Sequence, residues 1–355
     1  LLISLLGIYS CENESSGSKY DTIHDFELHS NNRVSSLLMS ASEYDEWVNN
    51  DGFSNTSLRT ALVQDIYQRF DDDYDFIILL LNEPSIPENL SYYGRLIGVS
   101  NIIEGIGLSS YDFSSEYGSS GKLKALIQMT GLEYIKYGPA LHELAHQWAN
   151  FALPTHSVSS TGTNLTSFLF GSHWGFTGGN TKGQLGGFEQ SSLVDNGQNS
   201  YSVGEFGTFA NGGNGVPYND LELYLMGMLP ISEVADFDMF TNITALDIVS
   251  STFTFSAENR TTFAPESLIE LLGQREPSFE DSQKDFKILA VVLTDNSLSE
   301  EEWTKVDATV EWFSNPGDDG TYLYNFWEAT RGIGTLTIQN NHLVLNQFNG
   351  MQLTI

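Results

Sequence analysis

Residues 139–154 read Pro-Ala-Leu-His-Glu-Leu-Ala-His-Gln-Trp-Ala-Asn-Phe-Ala-Leu-Pro. Pro139 suits a first helical position, because its missing N–H would have no partner there, and Pro154 closes the segment. Apolar residues recur at helical spacing and would bury one side of the helix: Leu141, Leu144, Ala145, Trp148 and Phe151 or Ala152. His142, Glu143 and His146 then face a different side. The pattern predicts a helix whose apolar side is separate from its chemically active side.

The His142-Glu143-Leu-Ala-His146 motif has the spacing of a zinc hydrolase site. Histidines four residues apart lie one turn above the other, so both imidazoles can reach one ion at about 2.0 to 2.1 Å. Glu143 lies beside them, where it can take a proton from water. The motif predicts that His142 and His146 bind Zn²⁺ and that Glu143 is the catalytic general base.

A catalytic zinc ion takes three protein ligands and keeps one position for water, so the motif needs a third ligand. Glu222, on a helix of its own, would give a His-His-Glu set, whereas His173 lies in a Gly-rich segment that could fold back over the metal. His156, just past Pro154, and Asp220 are weaker alternatives. The residues alone leave the choice open among His156, His173, Asp220 and Glu222.

The segments before the motif predict helix and strand in an order typical of an α+β protein. A helix is expected over residues 57–70 behind a Ser57 cap, and the apolar run 76–81 predicts a strand buried on both faces. Residues 93–106 and 123–129 supply further short strands. We therefore expect a mixed sheet that backs the active-site helix in an N-terminal subdomain, residues 26–154.

The rest of the chain, residues 155–355, is expected to form a loop-rich C-terminal subdomain that completes the zinc site. Residues 155–217 are rich in Gly, Ser, Asn and Thr, which predicts loops and hairpins along one wall of a cleft. A helix is expected over 220–226, a buried strand over 286–293, a helix over 299–313 and strands over 334–353.

The first residues resemble the back half of a bacterial lipoprotein signal peptide. Residues 1–10 are apolar and end in a small residue just before Cys11, the one cysteine of the chain. The resemblance implies that Cys11 carries a lipid, that residues 11–25 form a flexible tether, and that the protein is exported to the bacterial cell envelope as an outer-membrane or surface lipoprotein. Membrane contact is then expected only through that lipid, and a single cysteine excludes both an internal disulfide and a cysteine zinc site.

The net charge of the chain excludes some classes of binding partner. The chain carries 15 basic and 46 acidic residues, a formal net charge of −31. Such a surface repels phosphate backbones, which argues against nucleic acid and against an anionic membrane surface. A protein or peptide substrate is the partner that we expect.

The order of His142-Glu143-x-x-His146 and then His173-Trp174 resembles the leishmanolysin branch of the metzincins, in which the third zinc histidine is followed by tryptophan. Metzincins next make a tight turn with a methionine beneath the metal. At that distance this chain has Gly183-Gln-Leu185-Gly-Gly187, so leucine stands where the family has methionine; Met226 is an alternative floor. Ala149 and Ala152 replace the glycine and histidine of the family's compact motif.

Residues 130–335 resemble, more broadly, a group of bacterial surface metallopeptidase-like proteins with a zincin fold, through four segments: His-Glu-Leu-Ala-His-Gln-Trp, His-Trp, Leu-Glu-Leu-Tyr-Leu-Met-Gly and Asn-Phe-Trp-Glu-Ala-Thr. The resemblance implies His142, His146 and His173 as zinc ligands and an extracytoplasmic zinc endopeptidase, with Tyr218 or Tyr224 as candidate oxyanion donors. Two alternatives are a non-catalytic surface binding module on the same fold and a zinc amidase acting on cell-wall peptides.

Overall fold

The computed structural model describes residues 23–150, 152–153, 157–158, 167–168, 173–206 and 213–340. The predicted signal segment, Cys11 and the candidate ligand His156 lie outside these ranges. Within these ranges, no helix has the length and apolar character needed to span a membrane.

The described residues form helices and strands in mixed order. The α-helices are α1 (Ala41–Asn49), α2 (Thr56–Arg69), α3 (Tyr134–Tyr137), α4 (Ala140–Ala149), α5 (Asp220–Met226), α6 (Pro265–Leu272), α7 (Glu300–Ser314) and α8 (Phe326–Ala329). The strands are β1 (Asp25–Leu28), β2 (Val34–Leu38), β3 (Phe76–Leu81), β4 (Gly94–Gly98), β5 (Ser100–Asn101), β6 (Tyr111–Asp112), β7 (Ala125–Met129), β8 (Ser157–Val158), β9 (Ser167–Phe168), β10 (Gly178–Gly179), β11 (Phe188–Glu189), β12 (Val194–Gly197), β13 (Ser200–Val203), β14 (Phe237–Val249), β15 (Thr252–Phe263), β16 (Asp285–Thr294) and β17 (Thr335–Ile338).

A mixed seven-stranded sheet forms the centre of the fold. Its order is β1-β2-β16-β3-β7-β4, and β17 also pairs with β16. Strands β2, β16, β3 and β7 are parallel, whereas β4 lies antiparallel to β7 at the edge. The α+β class with a mixed sheet is thus confirmed.

The central strand β3 explains why the sheet separates two cores. All six of its residues are buried. Phe76, Ile78 and Leu80 face the core that contains the apolar side of α4, while Ile77, Leu79 and Leu81 face the core that contains α1 and α2. Because successive side chains point to opposite faces, a continuous apolar run is what a strand covered on both sides requires.

A second sheet follows α4 along the chain. Its order is β12-β13-β15-β14, and the long hairpin β14–β15 supplies half of its strands. Aromatic rings fill the core beside it: Phe176, Phe188, Phe206, Tyr201, Phe240 and Phe255. The sequence did not lead us to expect this hairpin.

The predicted bounds of helix α2 are close to the observed ones, but its predicted capping residue is wrong. The helix expected over 57–70 is Thr56–Arg69, and its cap is Asn55, whose side chain accepts from the N–H groups of Ser57 and Leu58. The division at residue 154 stays a prediction; strands β16 and β17 come from beyond it and join the same sheet as β3.

Helix α4, which carries the motif, is shorter than its two prolines suggest. Pro139 is the N-cap rather than the first helical residue, and α4 ends at Ala149, before Pro154. The predicted strand over 286–293 is β16, and the predicted helix over 299–313 is α7 with a Ser299 capping box. These last two predictions are confirmed.

Candidate metal centre

Helix α4 lies directly against the edge strand β4. A Cβ atom on Gly94 would come 2.8 Å from Pro139 Cγ, 2.9 Å from Glu143 Cγ and 2.9 Å from Met129 Sδ. These distances are too short for a side chain, so glycine at position 94 is what allows the helix to approach the strand. The close approach places Glu143 beside the sheet edge.

Two distant side chains hold the first turn of α4. The Leu141 N–H donates to Asn214 Oδ1 at 3.1 Å, which satisfies one of the N–H groups that a helix start leaves unpaired. Asn214 Nδ2 in turn donates to the carbonyls of Ile135 and Lys136, and the Tyr218 hydroxyl donates to the Leu141 carbonyl at 2.8 Å. The helix that carries the motif is therefore fixed by residues more than seventy positions away in the chain.

Three imidazoles converge on one point. The candidate ligand atoms of His142, His146 and His173 all lie within 4.8 Å of one another. The Nε2 atoms of His142 and His146 are 3.0 Å apart, and the His173 ring centre lies 5.2 Å from each of the other two ring centres. Two nitrogens bound tetrahedrally at about 2.1 Å from one ion would lie about 3.4 Å apart. The spacing fits a single small cation.

Outer hydrogen bonds fix which nitrogen of each helix histidine faces that point. His142 Nδ1 donates to the Gln184 carbonyl at 2.8 Å; since a carbonyl can only accept, the proton lies on Nδ1. His146 Nδ1 hydrogen-bonds to Asn150 Oδ1 at the end of the same helix. Both Nε2 atoms consequently present a lone pair, as metal ligation requires.

The same surroundings keep the imidazoles neutral. Burial lowers the pKa of His142, and burial together with the neighbouring histidines lowers the pKa of His146 well below its usual value. Burial and the charge of His142 lower the pKa of His173 to about 4. Neutral imidazole is the form that binds a metal ion, so these three side chains need not lose protons at neutral pH to do so.

Glu143 is the acidic group of the site. Its side chain is buried, and burial raises its pKa to about 8, against the smaller opposing effects of the Leu96 N–H and of Arg95. A divalent cation among the imidazoles would favour the carboxylate form again. Glu143 therefore has the environment of a group that exchanges protons near neutral pH.

Glu222 and Asp220 do not join the cluster. Glu222 Oε1 accepts from the Leu185 N–H at 2.8 Å and Oε2 accepts from the Asn219 N–H at 2.9 Å, while Asp220 pairs with Arg331. Neither is among the described groups of potential metal ligands. The structure brings His173 close to the two helix histidines, while the oxygens of Glu222 and Asp220 serve a helix cap, a turn and an ion pair.

Tyr218 and Tyr224, the candidate oxyanion donors, and Met226, the candidate residue beneath the metal, make other contacts in the structure. Tyr218 donates its hydroxyl to the back of α4, and Tyr224 is buried in the core and interacts with Arg275. Met226 lines a cavity with Trp148 and Arg275. Leu185 is fully buried in the turn whose Gln184 carbonyl contacts His142, so that turn lies against the cluster of three histidines.

The donor set suits zinc better than a hard cation. All three groups are neutral nitrogen donors, whereas Ca²⁺ and Mg²⁺ prefer oxygen ligands. A three-histidine set that leaves one position open is a known catalytic zinc arrangement. The residues present thus fit the ion that the motif implies.

Comparison of the chain with protein-family models, with curated proteins and with solved structures gave no match. The sequence did not point to the outer partners Gln184 and Asn150, and it did not assign Gly94 or Asn214 a role. One signal for Glu222 was present: Asn219-x-x-Glu222 is the spacing of a capping box, which the structure contains.

Proposed function

We propose that this protein is an extracytoplasmic zinc-dependent endopeptidase with a zincin-type site. The observation that carries the proposal is that three neutral imidazoles converge beside a buried glutamate, Glu143 of helix α4. A merely structural pair of histidines would need neither the third imidazole nor Glu143. The leucine in place of the metzincin methionine leaves this arrangement of donors intact.

The side chains divide the chemistry between them. When bound, Zn²⁺ supplies a Lewis acid that polarises a carbonyl and lowers the pKa of water toward about 7. His142, His146 and His173 would hold the ion through one imidazole nitrogen each. Glu143 takes a proton from the attacking water and delivers it to the departing amine, so the peptide bond is hydrolysed without a covalent enzyme intermediate.

An extended peptide fits the surroundings of the site. Strand β4 is the edge of the main sheet, and among the described residues no strand pairs with its outer side. The backbone N–H of Leu96, in this strand, lies close enough to Glu143 to lower the pKa of its carboxyl group. A substrate chain lying along this edge could hydrogen-bond to it as an added strand and so present a peptide bond to the metal helix.

The extracytoplasmic location rests on the sequence. Residues 1–11 resemble the end of a lipoprotein signal, and the net charge of −31 disfavours nucleic acid as a partner. An anchored peptidase facing other proteins is consistent with both features.

Replacement of the general base tests the proposal. Glu143→Gln should keep one zinc ion per chain, measured by elemental analysis, while cleavage of casein falls by about a hundredfold or more. Glu133→Gln makes the same change at an exposed position ten residues earlier, serves as the control and should cleave normally. Full activity in Glu143→Gln would refute the catalytic role, and a wild-type protein that binds zinc without chelator-sensitive cleavage would favour the binding module.

A further inference from the structure

Glu222 is a buried carboxylate that the proposed reaction does not use. It is fully buried, and among the described residues no Lys, Arg or His side chain pairs with it. Its partners are backbone N–H groups: those of Leu185 and Asn219 donate at 2.8 and 2.9 Å, and that of Gln184 also interacts with the carboxylate. Burial of an ionised carboxylate costs free energy, whereas a glutamate that only caps a helix can do so at the surface. The burial of Glu222 therefore indicates a role in addition to capping α5.

The Leu185 bond leads directly to a metal ligand. The N–H of Leu185 and the C=O of Gln184 belong to one peptide group. On one side that group donates to Glu222, and on the other it accepts from His142 Nδ1 at 2.8 Å. Carboxylate, peptide group and imidazole thus form one continuous line of hydrogen bonds.

We propose that Glu222 is a positioning residue for the metal site, which orients His142 and raises the basicity of its Nε2 through the Gln184–Leu185 peptide group. This inference rests on the proposed zinc site. In many metal sites a carboxylate contacts a metal-ligating histidine directly and orients it. We assign Glu222 the same role, with one peptide group between the carboxylate and His142.

The energetics of linked hydrogen bonds supports this role for Glu222. A hydrogen bond to an ionised acceptor is about twice as strong as a neutral one. Chains of hydrogen bonds polarise one another, by about 10–30% per bond. Burial raises the pKa of Glu222 to about 7, against the smaller opposing effects of the Leu185, Asn219 and Gln184 N–H groups. In its ionised form the carboxylate draws the Leu185 proton, makes the Gln184 oxygen a better acceptor and increases the electron density on His142.

The same turn also sets the backbone beside the third histidine. The Leu185 carbonyl accepts from the Trp174 N–H at 2.7 Å, and Trp174 follows His173 directly. A Cβ on Gly183 would lie 2.7 Å from Glu222 Oε1 and 2.6 Å from Asn219 Nδ2. Glycine at position 183 is accordingly what lets the carboxylate reach the turn.

A test must separate this role from helix capping, because Glu222 also completes the capping box of α5. Glu222→Gln removes the charge and keeps the shape. Asn219→Ala removes the cap side chain and keeps the bond between Glu222 and Leu185. Glu328→Gln makes the same charge-removing change in a capping box of the same Asn-x-x-Glu type at α8, where Asn325 N and Glu328 Oε2 are 3.0 Å apart.

The measurement is Zn²⁺ affinity by competition with a chromophoric chelator, together with the visible spectrum of the Co²⁺-loaded protein. We expect Glu222→Gln to weaken zinc binding about tenfold and to shift the Co²⁺ bands. The controls Asn219→Ala and Glu328→Gln should lower Tm with zinc affinity within about twofold of wild type. Gly183→Ala, which keeps the carboxylate but crowds it, should also weaken zinc binding; it replaces Glu222→Gln if that variant does not fold.

Wild-type affinity and spectrum in Glu222→Gln would overturn the inference, as would an equal loss in Asn219→Ala. A second readout needs no metal: in the metal-free protein the proton resonance of His142 Nδ1–H should move upfield in Glu222→Gln. If wild type took up no zinc while this resonance moved, the proposed function would fail and the hydrogen-bonded coupling would stand. An unmoved resonance would refute the coupling itself.

Discussion

Replacing Tyr218 with phenylalanine separates a structural role from a catalytic one, because the change removes a single hydroxyl. That hydroxyl is buried and donates to the Leu141 carbonyl at 2.8 Å. The same carbonyl is an acceptor for the helix's own i+4 bond, so it keeps a partner in the variant. We expect Tyr218→Phe to lower the free energy of unfolding by about 0.5 to 1 kcal/mol, the low end of the range for loss of a buried hydrogen bond.

The catalytic alternative predicts a much larger effect of a different kind. Loss of an oxyanion donor costs about 10² to 10³ in kcat. Urea unfolding of the zinc-loaded protein gives the stability change, and hydrolysis of a peptide substrate gives kcat and KM. A small fall in the urea midpoint with kcat within about threefold of wild type is the outcome that a bond to the back of α4 implies. A hundredfold fall in kcat at unchanged stability would refute this reasoning and return Tyr218 to the active site.

Three further predictions follow from the geometry. Asn150→Ala removes the acceptor of His146 Nδ1 and should weaken zinc binding by about tenfold or more, measured by chelator competition; unchanged affinity would contradict the outer bond. Gly94→Ala should destabilise the protein by about 1–3 kcal/mol in urea unfolding, because the new methyl meets three atoms at 2.8–2.9 Å. Despite burial, the hydrogen bonds and charge of Arg33 lower the pKa of Asp307, so the pair stabilises the fold above about pH 3.8 and this contribution is lost as the pH falls further. Asp307→Asn should therefore be less stable than wild type at pH 7, and a gap between their urea midpoints that persists undiminished at pH 3 would oppose that.

The parts of the site that the sequence predicted are those set by local geometry. His142, Glu143 and His146 are placed by the 3.6-residue period of one helix, which needs no knowledge of the rest of the fold. The continuous apolar run of β3 likewise predicts a strand covered on both faces. His173 came from resemblance, since nothing in its own Gly-rich surroundings fixes where its backbone lies.

The parts that the sequence did not predict depend on contacts between distant segments. Every residue has a carbonyl, so no pattern marks Gln184 as the partner of His142. Glu222 was weighed as a ligand because of its residue type, while its position three residues after Asn219 indicated a helix cap. Strand β15 of the β14–β15 hairpin carries apolar residues at every second position, Phe253, Phe255 and Ala257, which is the period of a strand.

An anomalous scattering map of crystals soaked in Zn²⁺, recorded at the zinc absorption edge, tests the zinc site most directly. The arrangement described above predicts one strong peak about 2.0 to 2.1 Å from the Nε2 atoms of His142 and His146 and from a ring nitrogen of His173, with Glu143 beside it and Glu222 still bonded to Leu185. A map with no peak between the three imidazoles, or with a peak on Glu222, would contradict it.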